Sequence, residues 1–303
     1  MNYVVIIPAK NEEENIGQTL SSLINQTLQP KSVVVVDNGS EDKTANIVKG
    51  IGAKHQFIKY FNYTGHANKY ALGGKIVKIF KEGKAFVDSL GIPYDYLVKM
   101  DADISMEDDI FERIAQKIQD QNYGIVSPLG FFMQNGRKVF ISTPDWHTSG
   151  DFKIYNRLFL EKVGGLMEDL GWDCADNIAA RELGFDTKVF RDIHYEQTRP
   201  IGRFSLVNGW KRQGIGAYKL RYSFPYLMLK STHDLFRPPY IAGSAYYLFG
   251  YLSALFDRPN KTLTKKQGRL LRNLLWHSFF DRLKRGHFVL FQGFGKKRKQ
   301  NPT

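Results

Sequence analysis

A chain of 303 residues, 43% hydrophobic and 24% charged, holds enough apolar material for a large core, which excludes a disordered protein. Its single cysteine, Cys174, excludes an internal disulfide and a cysteine-rich zinc site, and suits a reducing compartment. The net charge of +13 calls for an anionic partner, yet from residue 257 onward 13 Lys and Arg face 2 Asp and Glu, so the basicity is concentrated in the last part of the chain.

Asn2 to Ile7 is a short, mostly β-branched run that reads as a first strand, and the start lacks the basic leader and cleavage site of a signal peptide. Ser32 to Val36 is a second such run. Between them Ile16, Leu20, Leu23, Ile24 and Leu28 recur at helical spacing, which makes a strand, helix, strand unit with parallel strands. Asp37 ends the second strand, and a polar turn leads to a helix carrying Ala45, Ile47 and Val48. Ile76, Val77, Phe80 and Phe86 predict a further helix, weakened at Gly83. Tyr94 to Met100 then reads as a strand that stops at Asp101, "DDIFERIAQKIQDQN" as a helix and "YGIVSPLGFF" as a buried strand. Residues 1 to about 130 thus form an α/β nucleotide-domain layer.

From about 131 to 200 the pattern is mixed. "FKIYNRLFLEKVGGL" begins as a strand and stops at Gly-Gly, "CADNIAARELGF" is helical up to Gly184, and "DTKVFRDIHYEQTR" reads as a returning strand. Residues 201–256 are aromatic-rich. Tyr240 to Phe256 is mostly apolar but shorter than the usual membrane span, so a buried hairpin or interfacial helix is expected there. Residues 257–303 are basic. In them Leu263, Leu270, Leu271, Leu274, Leu275, Phe279 and Leu283 share a helical face flanked by Lys266, Arg269, Arg272, Lys284 and Arg285, with "KKRK" near the end. That pattern reads either as an interfacial membrane helix or as a packed helix with a solvated basic side. No zinc-finger spacing or RNP-like strand accompanies the charge, so no specific nucleic-acid partner is expected.

Carboxylates gather where the strands end. Asp101 and Asp103 lie on one side of an extended segment, where they are either solvated turn residues or hard ligands for Mg2+ or Mn2+ on phosphate oxygens. Glu12 to Glu14 suit a helix first turn, and Asn38 to Asp42 a capped turn.

Taken together and in order, "VVIIPAKNEEENI", "SVVVVDNGSEDKT" and "YLVKMDADI" resemble the nucleotide-sugar domain of inverting family 2 glycosyltransferases with the GT-A fold, over about residues 1 to 200. The resemblance implies an α/β, Rossmann-like GT-A domain with a mostly parallel central sheet, to which charge and amphipathic spacing add the expectation of a helical, basic, membrane-associated C-terminal extension. It places Pro8, Ala9, Asn11 and Glu12 along the nucleotide, Asp37 at the base, and Asp101, Ala102 and Asp103 at the sugar nucleotide. Asp103 is the first-choice metal ligand, Asp101 meets the ribose or sugar or shares the metal, and His194 is offered as a third ligand. Arg199 and Arg203 offset phosphate charge or sit on the surface, and Lys75 lies in a region where the family carries a basic residue near the nucleotide. The family's Glu-Asp pair falls on Trp172 and Asp173, so the Glu is absent. Asp173 is the expected general base, with Asp176 as the alternative and a helix cap as the structural one. Trp146, Tyr155 and Arg157 are candidates for the acceptor wall.

The implied activity is metal-dependent, inverting transfer of a sugar from a nucleoside-diphosphate donor to a hydroxyl of a lipid-linked sugar or surface glycan. The implied location is peripheral, on the cytoplasmic membrane face. The rivals are a nucleotidyltransferase, which would show a glycine-rich basic loop where this chain has "PAKNEEENI", and an inactive membrane-binding protein with the same fold.

Overall fold

The computed structural model describes residues 1–63, 65, 73–199, 206–235 and 240–284. The chain forms two compact units, Met1–Ile201 and Gly202–Thr303.

The first unit is built on one mixed sheet of order β3-β2-β1-β4-β8-β6-β9-β5, with β7 paired to β6. Its strands are β1 (Tyr3–Ala9), β2 (Ser32–Asp37), β3 (Ile58–Asn62), β4 (Tyr96–Met100), β5 (Ile104–Met106), β6 (Tyr123–Gln134), β7 (Arg137–Phe140), β8 (Phe152–Asn156) and β9 (Asp186–Gln197). β1 and β2 are buried along their whole length, which explains why they read as unbroken apolar runs. Alternate residues feed opposite layers. Tyr3, Val5 and Ile7 enter one core with α1 (Ile16–Ile24) and α4 (Ile110–Ile118). Val4 and Ile6 enter another with α3 (Gly74–Ser89). α2 (Thr44–Lys54), α5 (Arg157–Val163) and α6 (Trp172–Glu182) complete the helices of this unit among the described residues.

The sheet corrects the expectation of mostly parallel strands. The pairs β1–β2, β1–β4, β2–β3 and β6–β9 are parallel, whereas β4–β8, β6–β8, β6–β7 and β5–β9 are antiparallel. The reversal begins at β8, which enters beside β4 in the opposite direction and sets Lys153 across from Lys99. What survives of a nucleotide-binding layer is the parallel half, where β1, β2 and β4 end on the same side and Ala9 stands level with Asp37.

α3 runs unbroken through Gly83. A methyl group there would come within 2.6 Å of Ile6 Cγ2 and 2.8 Å of Val36 Cγ2, so the missing side chain is what lets the helix lie on β1 and β2. Tertiary contact therefore overrides the local propensity against helix.

The second unit contains α7 (Leu206–Lys219), α8 (Phe224–Asp234), α9 (Ile241–Asp257) and α10 (Lys265–Lys284). α7 and α9 cross closely: side chains at Gly214 or Gly250 would collide with the Tyr247 or Lys211 carbonyl. α10 packs on the same unit. Leu263, Leu271 and Leu275 are buried, Arg272 Nη1 donates to the Arg221 carbonyl at 3.0 Å, and Trp276 meets Tyr226 edge to face. Among the described residues no helix is long and apolar enough to cross a membrane. Arg203, Arg285 and "KKRK" lie outside the described residues.

Candidate active site

The turns after β1 and β2 are sewn together. Asn11 adopts a left-handed conformation, its Oδ1 accepts from Glu41 N at 2.9 Å, and its own N–H donates to Ser40 Oγ at 3.0 Å. Glu12 N–H donates to Thr44 Oγ1 at 2.7 Å. Asp37 is buried and both its oxygens are engaged, Oδ1 by Ser40 N and Oγ at 2.9 and 2.6 Å, and Oδ2 by the Tyr60 hydroxyl at 2.7 Å. Burial and the Asp37 carboxylate push the Tyr60 hydroxyl up to about 12, so Tyr60 stays a donor. Beside Asp37, the buried Asn38 amide has no hydrogen-bond partner at either end among the described residues. Pro8 and Ala9 are the last residues of β1 and bring this edge level with Asp37.

The Asp101-Ala102-Asp103 turn follows β4. Thr19 Oγ1 donates to the Ala102 carbonyl at 2.7 Å and ties the turn to α1. Asp101 pairs with the buried Lys99, whose Nζ also donates to the Gly150 carbonyl at 2.5 Å. Burial, opposed by Lys99 and reinforced by Asp103 and Asp151, pushes the Asp101 carboxyl up to about 6. Asp103 is buried, and its Oδ2 accepts from Arg199 Nε at 2.9 Å. The same guanidinium donates through Nη2 to Glu12 Oε1 at 2.6 Å, so Arg199 joins the ends of β1, β4 and β9. Burial raises the Glu12 pKa, against the pull of Arg199.

Asp173 sits in the first turn of α6, which begins at Trp172 after a left-handed Gly171. It is therefore not the cap of a helix starting near Asp176. The position favours an anion electrostatically. His147 Nε2 faces Asp173 Oδ2 at 3.6 Å. Burial pushes the Asp173 carboxyl up, but His147, Lys153 and the Cys174 amide outweigh it and hold the group down at about 2. Gly150 links this cluster to the previous one: its carbonyl receives Lys99, and a methyl on it would sit 3.0 Å from the Trp172 ring and 3.3 Å from Asp173 Cβ.

The other expected site residues are placed as follows. Asp176, the alternative base, is buried with Oδ1 held by Lys153 Nζ and Oδ2 by the Tyr155 hydroxyl, both at 2.6 Å, so neither oxygen is free to take a proton from a substrate. His194 is not brought to Asp103. Thr198 N–H donates to the Asp103 carbonyl, and His194 lies four residues back along β9, about 13 Å at ordinary strand rise. Its Nε2 is 2.8 Å from the Arg191 carbonyl and its ring packs on Phe140. Tyr155 and Trp146 are buried rather than lining a wall, and Arg157 pairs with Glu161. Lys75 is exposed on the first turn of α3.

Trp172, which stands where a Glu was expected, has a specific setting. Its ring lies 5.3 Å from Lys153 Nζ and 5.8 Å from Lys99 Nζ, the two buried lysines that face each other across β4 and β8. The indole face offers these cations partial compensation, and Asp101 and Asp176 supply the counter-charge. Sequence reasoning missed Lys99, Lys153 and His147. A lysine at an inward position of an otherwise apolar strand was the available signal for the first two.

Asp101 and Asp103 offer the hard oxygen donors that suit Mg2+ or Mn2+. Among the described residues no group of three or more His, Cys, Asp and Glu is placed to hold a metal ion, so these carboxylates fit one only with phosphate or water completing its shell.

Residues 4–169 match the sequence model of glycosyl transferase family 2. The chain belongs to that family. As a family 2 glycosyltransferase it is 34% identical over 128 residues to 4,4'-diaponeurosporenoate glycosyltransferase of Staphylococcus haemolyticus, covering 41% of this chain and 30% of that one. It is 27% identical over 135 residues to an uncharacterized glycosyltransferase of Haemophilus influenzae, covering 43% and 36%. The matches thus span about a third of each relative's length. Among solved structures, S. aureus TarS matches 95% of this chain and 55% of its own, with TM-score 0.58 and 19% identity. The mannosyltransferase PcManGT of Pyrobaculum calidifontis, in complex with GDP-Man and Mn2+, matches 93% and 86%, with TM-score 0.53 and 18% identity. At these identities the likeness is one of fold, and the fold is GT-A.

Proposed function

We propose that this family 2 chain binds a nucleoside-diphosphate sugar across the ends of β1, β2 and β4 and transfers the sugar, with inversion, to a hydroxyl of a glycan or lipid-linked acceptor. The observation that carries the reading is the convergence of Glu12, Asp103 and Arg199 at the strand ends, with the ionised Asp173 across Gly150 from Lys99 and Asp101. The unpartnered Asn38 amide adds a buried polar group on the nucleotide side.

The acceptor oxygen attacks the anomeric carbon as the bond to the diphosphate breaks, and the acceptor proton passes to Asp173. An acid held near 2 is a weak base, so its task is to accept the proton as attack makes the hydroxyl acidic. The first turn of α6, Lys153 and His147 hold it ionised and aimed. Arg199 is released from Asp103 and Glu12 by the incoming diphosphate and counters the charge of the leaving group. Asp103 and Asp101 would hold a divalent cation, which when bound neutralises diphosphate charge. The Mn2+ bound with GDP-Man in the mannosyltransferase PcManGT supports that choice.

The relatives' donors, UDP-GlcNAc in TarS and GDP-Man in PcManGT, head the donors to screen. The acceptor is proposed to be membrane-borne, with the enzyme peripheral on the cytoplasmic face, because the basic residues gather after 257. The test is a screen of nucleoside-diphosphate sugars for hydrolysis and transfer with Mn2+, comparing wild type with Asp103→Asn and Asp173→Asn. Donor-specific turnover lost in both variants supports the reading. Turnover retained in Asp173→Asn removes Asp173 as the base, and a folded protein that binds no donor at all removes the reading.

A further inference from the structure

The second unit carries an apolar surface that sugar transfer does not use. α9 has no charged residue from Ile241 to Phe256. One side of it is buried: Gly243, Ser244, Tyr247, Gly250 and Ala254 face inward, Ser244 Oγ donates to the Ser231 carbonyl of α8, and Gly250 lies against Lys211 of α7. The other side is open. Ile241 is 74% exposed, Phe249 54% and Phe256 81%, with Ala245, Leu252 and Leu255 also exposed. Residues 241, 245, 249, 252 and 256 recur at three and four positions, so they form one continuous stripe. α10 differs: its leucines Leu271 and Leu275 are buried on its own unit, so the face expected to meet a membrane is largely occupied.

Large apolar side chains exposed side by side along one helix face mark an interaction surface. It does not belong to a span, because its opposite side is packed on protein and no described helix is long and apolar enough to cross. Charge selects between the remaining occupants. The chain beyond residue 256 carries 13 Lys and Arg against 2 Asp and Glu, beginning with Arg258 at the end of α9, and Lys211 Nζ lies 5.1 Å from the Phe249 ring. A second copy meeting this face across a two-fold axis would set like charge against like. An anionic bilayer sets opposite charge against it, and lysines at the margin can extend to the phosphates while their stems cover apolar surface.

We propose that α9 lies in the plane of an anionic lipid surface, with Ile241, Phe249, Leu252 and Phe256 below the headgroups and Lys211 and Arg258 at the phosphates. The inference deepens the membrane-borne acceptor and rests on that reading for its purpose, while lipid binding is tested independently of turnover.

The experiment uses the full chain and vesicles of phosphatidylcholine alone or mixed with phosphatidylglycerol. Flotation compares wild type, Phe249→Ser/Phe256→Ser and, as a control in the first unit, the exposed Leu158→Ser. In parallel, Phe256→Cys carries an environment-sensitive dye; the native Cys174 is buried. The expected result is binding to the mixed vesicles, weakened at least about tenfold in the double variant and unchanged in the control, with a blue shift at position 256. Donor hydrolysis without vesicles stays unchanged in the double variant, which separates this inference from the sugar-transfer reading. Binding that depends on salt but not on the two phenylalanines, without a blue shift, overturns insertion. Absent vesicle binding overturns the lipid surface, and self-association abolished by the double variant then makes a second copy the occupant.

Discussion

Replacing Lys153 by Met isolates its buried pair with Asp176, next to Asp173. Lys153 and Asp176 side chains are 0% and 2% exposed and 2.6 Å apart, so water screens little of the pair. Lys153→Met leaves the Asp176 carboxylate buried with the Tyr155 hydroxyl donating to it, and breaking such a pair costs about 3–5 kcal/mol. A domain's whole stability is about 5–15 kcal/mol, so the loss is a large fraction of it. The pH dependence carries a definite sign. Burial already raises the Asp176 pKa above its unfolded value, against Lys153. A carboxyl raised in the fold is favourable when protonated and becomes a liability as pH rises from its unfolded value through its folded one. Without Lys153 the folded value rises further, so the variant's deficit is largest near neutrality and shrinks as pH falls toward 4. Urea unfolding followed by tryptophan fluorescence at several pH values measures this. Adding Asp176→Asn removes the stranded charge and restores much of the stability. A Lys153→Met protein within about 1 kcal/mol of wild type at neutral pH, or one that Asp176→Asn does not rescue, refutes the argument.

Asp173→Asn lowers transfer by about 10²- to 10⁴-fold while donor affinity, read by titration calorimetry, stays near wild type; lost affinity would assign Asp173 to donor binding. Removing divalent cations with EDTA abolishes turnover and Mn2+ or Mg2+ restores it, whereas full activity in EDTA counts against the role given to Asp103. His147→Gln removes a partner that depresses the Asp173 pKa. A depressed carboxyl contributes stability above its unfolded pKa and loses it as pH falls toward the folded value near 2, so the variant is less stable at pH 4 to 6 and converges on wild type toward pH 2. Parallel unfolding curves with no convergence would remove His147 from that role. Gly83→Ala gains about 1 kcal/mol of helix propensity but loses about 1–3 kcal/mol to contacts with Ile6 and Val36, so it does not stabilise the protein; a raised melting temperature would show that those methyl groups move aside freely.

Three strands of the parallel half, β1, β2 and β4, were legible because local pattern and tertiary role coincide there, whereas β3, partly exposed at the sheet edge, was not read. β1 and β2 are buried on both faces, so the same valines that mark them as strands also build the cores. The Asp101-Ala102-Asp103 turn was legible for a related reason, since a strand end is visible in the sequence and its carboxylates stand at that end. The other half was not. Lys99 and Lys153 meet through an antiparallel register that no local pattern announces, and with them comes the reason Trp172 is accommodated beside Asp173. The surroundings of His194 were not legible because β9 shifts register against β6 between Phe190 and His194, so counting along the strand does not say what the imidazole faces. Arg199 was visible as a basic residue near phosphate, but its bridge between Asp103 and Glu12 depends on bringing the two ends of the unit together.

The same limit bears on α9 and α10, for each of which the sequence left an interfacial position open. Amphipathic spacing says which side of a helix is apolar and leaves open what covers that side. α10 has the sharper separation of leucines from basic residues, and its Leu271 and Leu275 are covered by its own unit. α9 reads as apolar almost all round, which in sequence leaves a buried and an interfacial helix both open. Its buried side is instead built from small residues and Tyr247, where Gly250 permits close contact with α7, so its larger residues Ile241, Phe249, Leu252 and Phe256 are left outside. Residue size distinguishes the two sides of α9 where polarity does not: the packed side is the one with the glycines and serine, and the open side is the one with the bulk. Enlarging Gly250 should therefore unseat α9 from α7, while replacing Phe256 should leave the helix in place, and circular dichroism of Gly250→Leu and Phe256→Ser separates the two sides directly. Equal loss of helix in both variants would contradict the assignment of a packed and an open face.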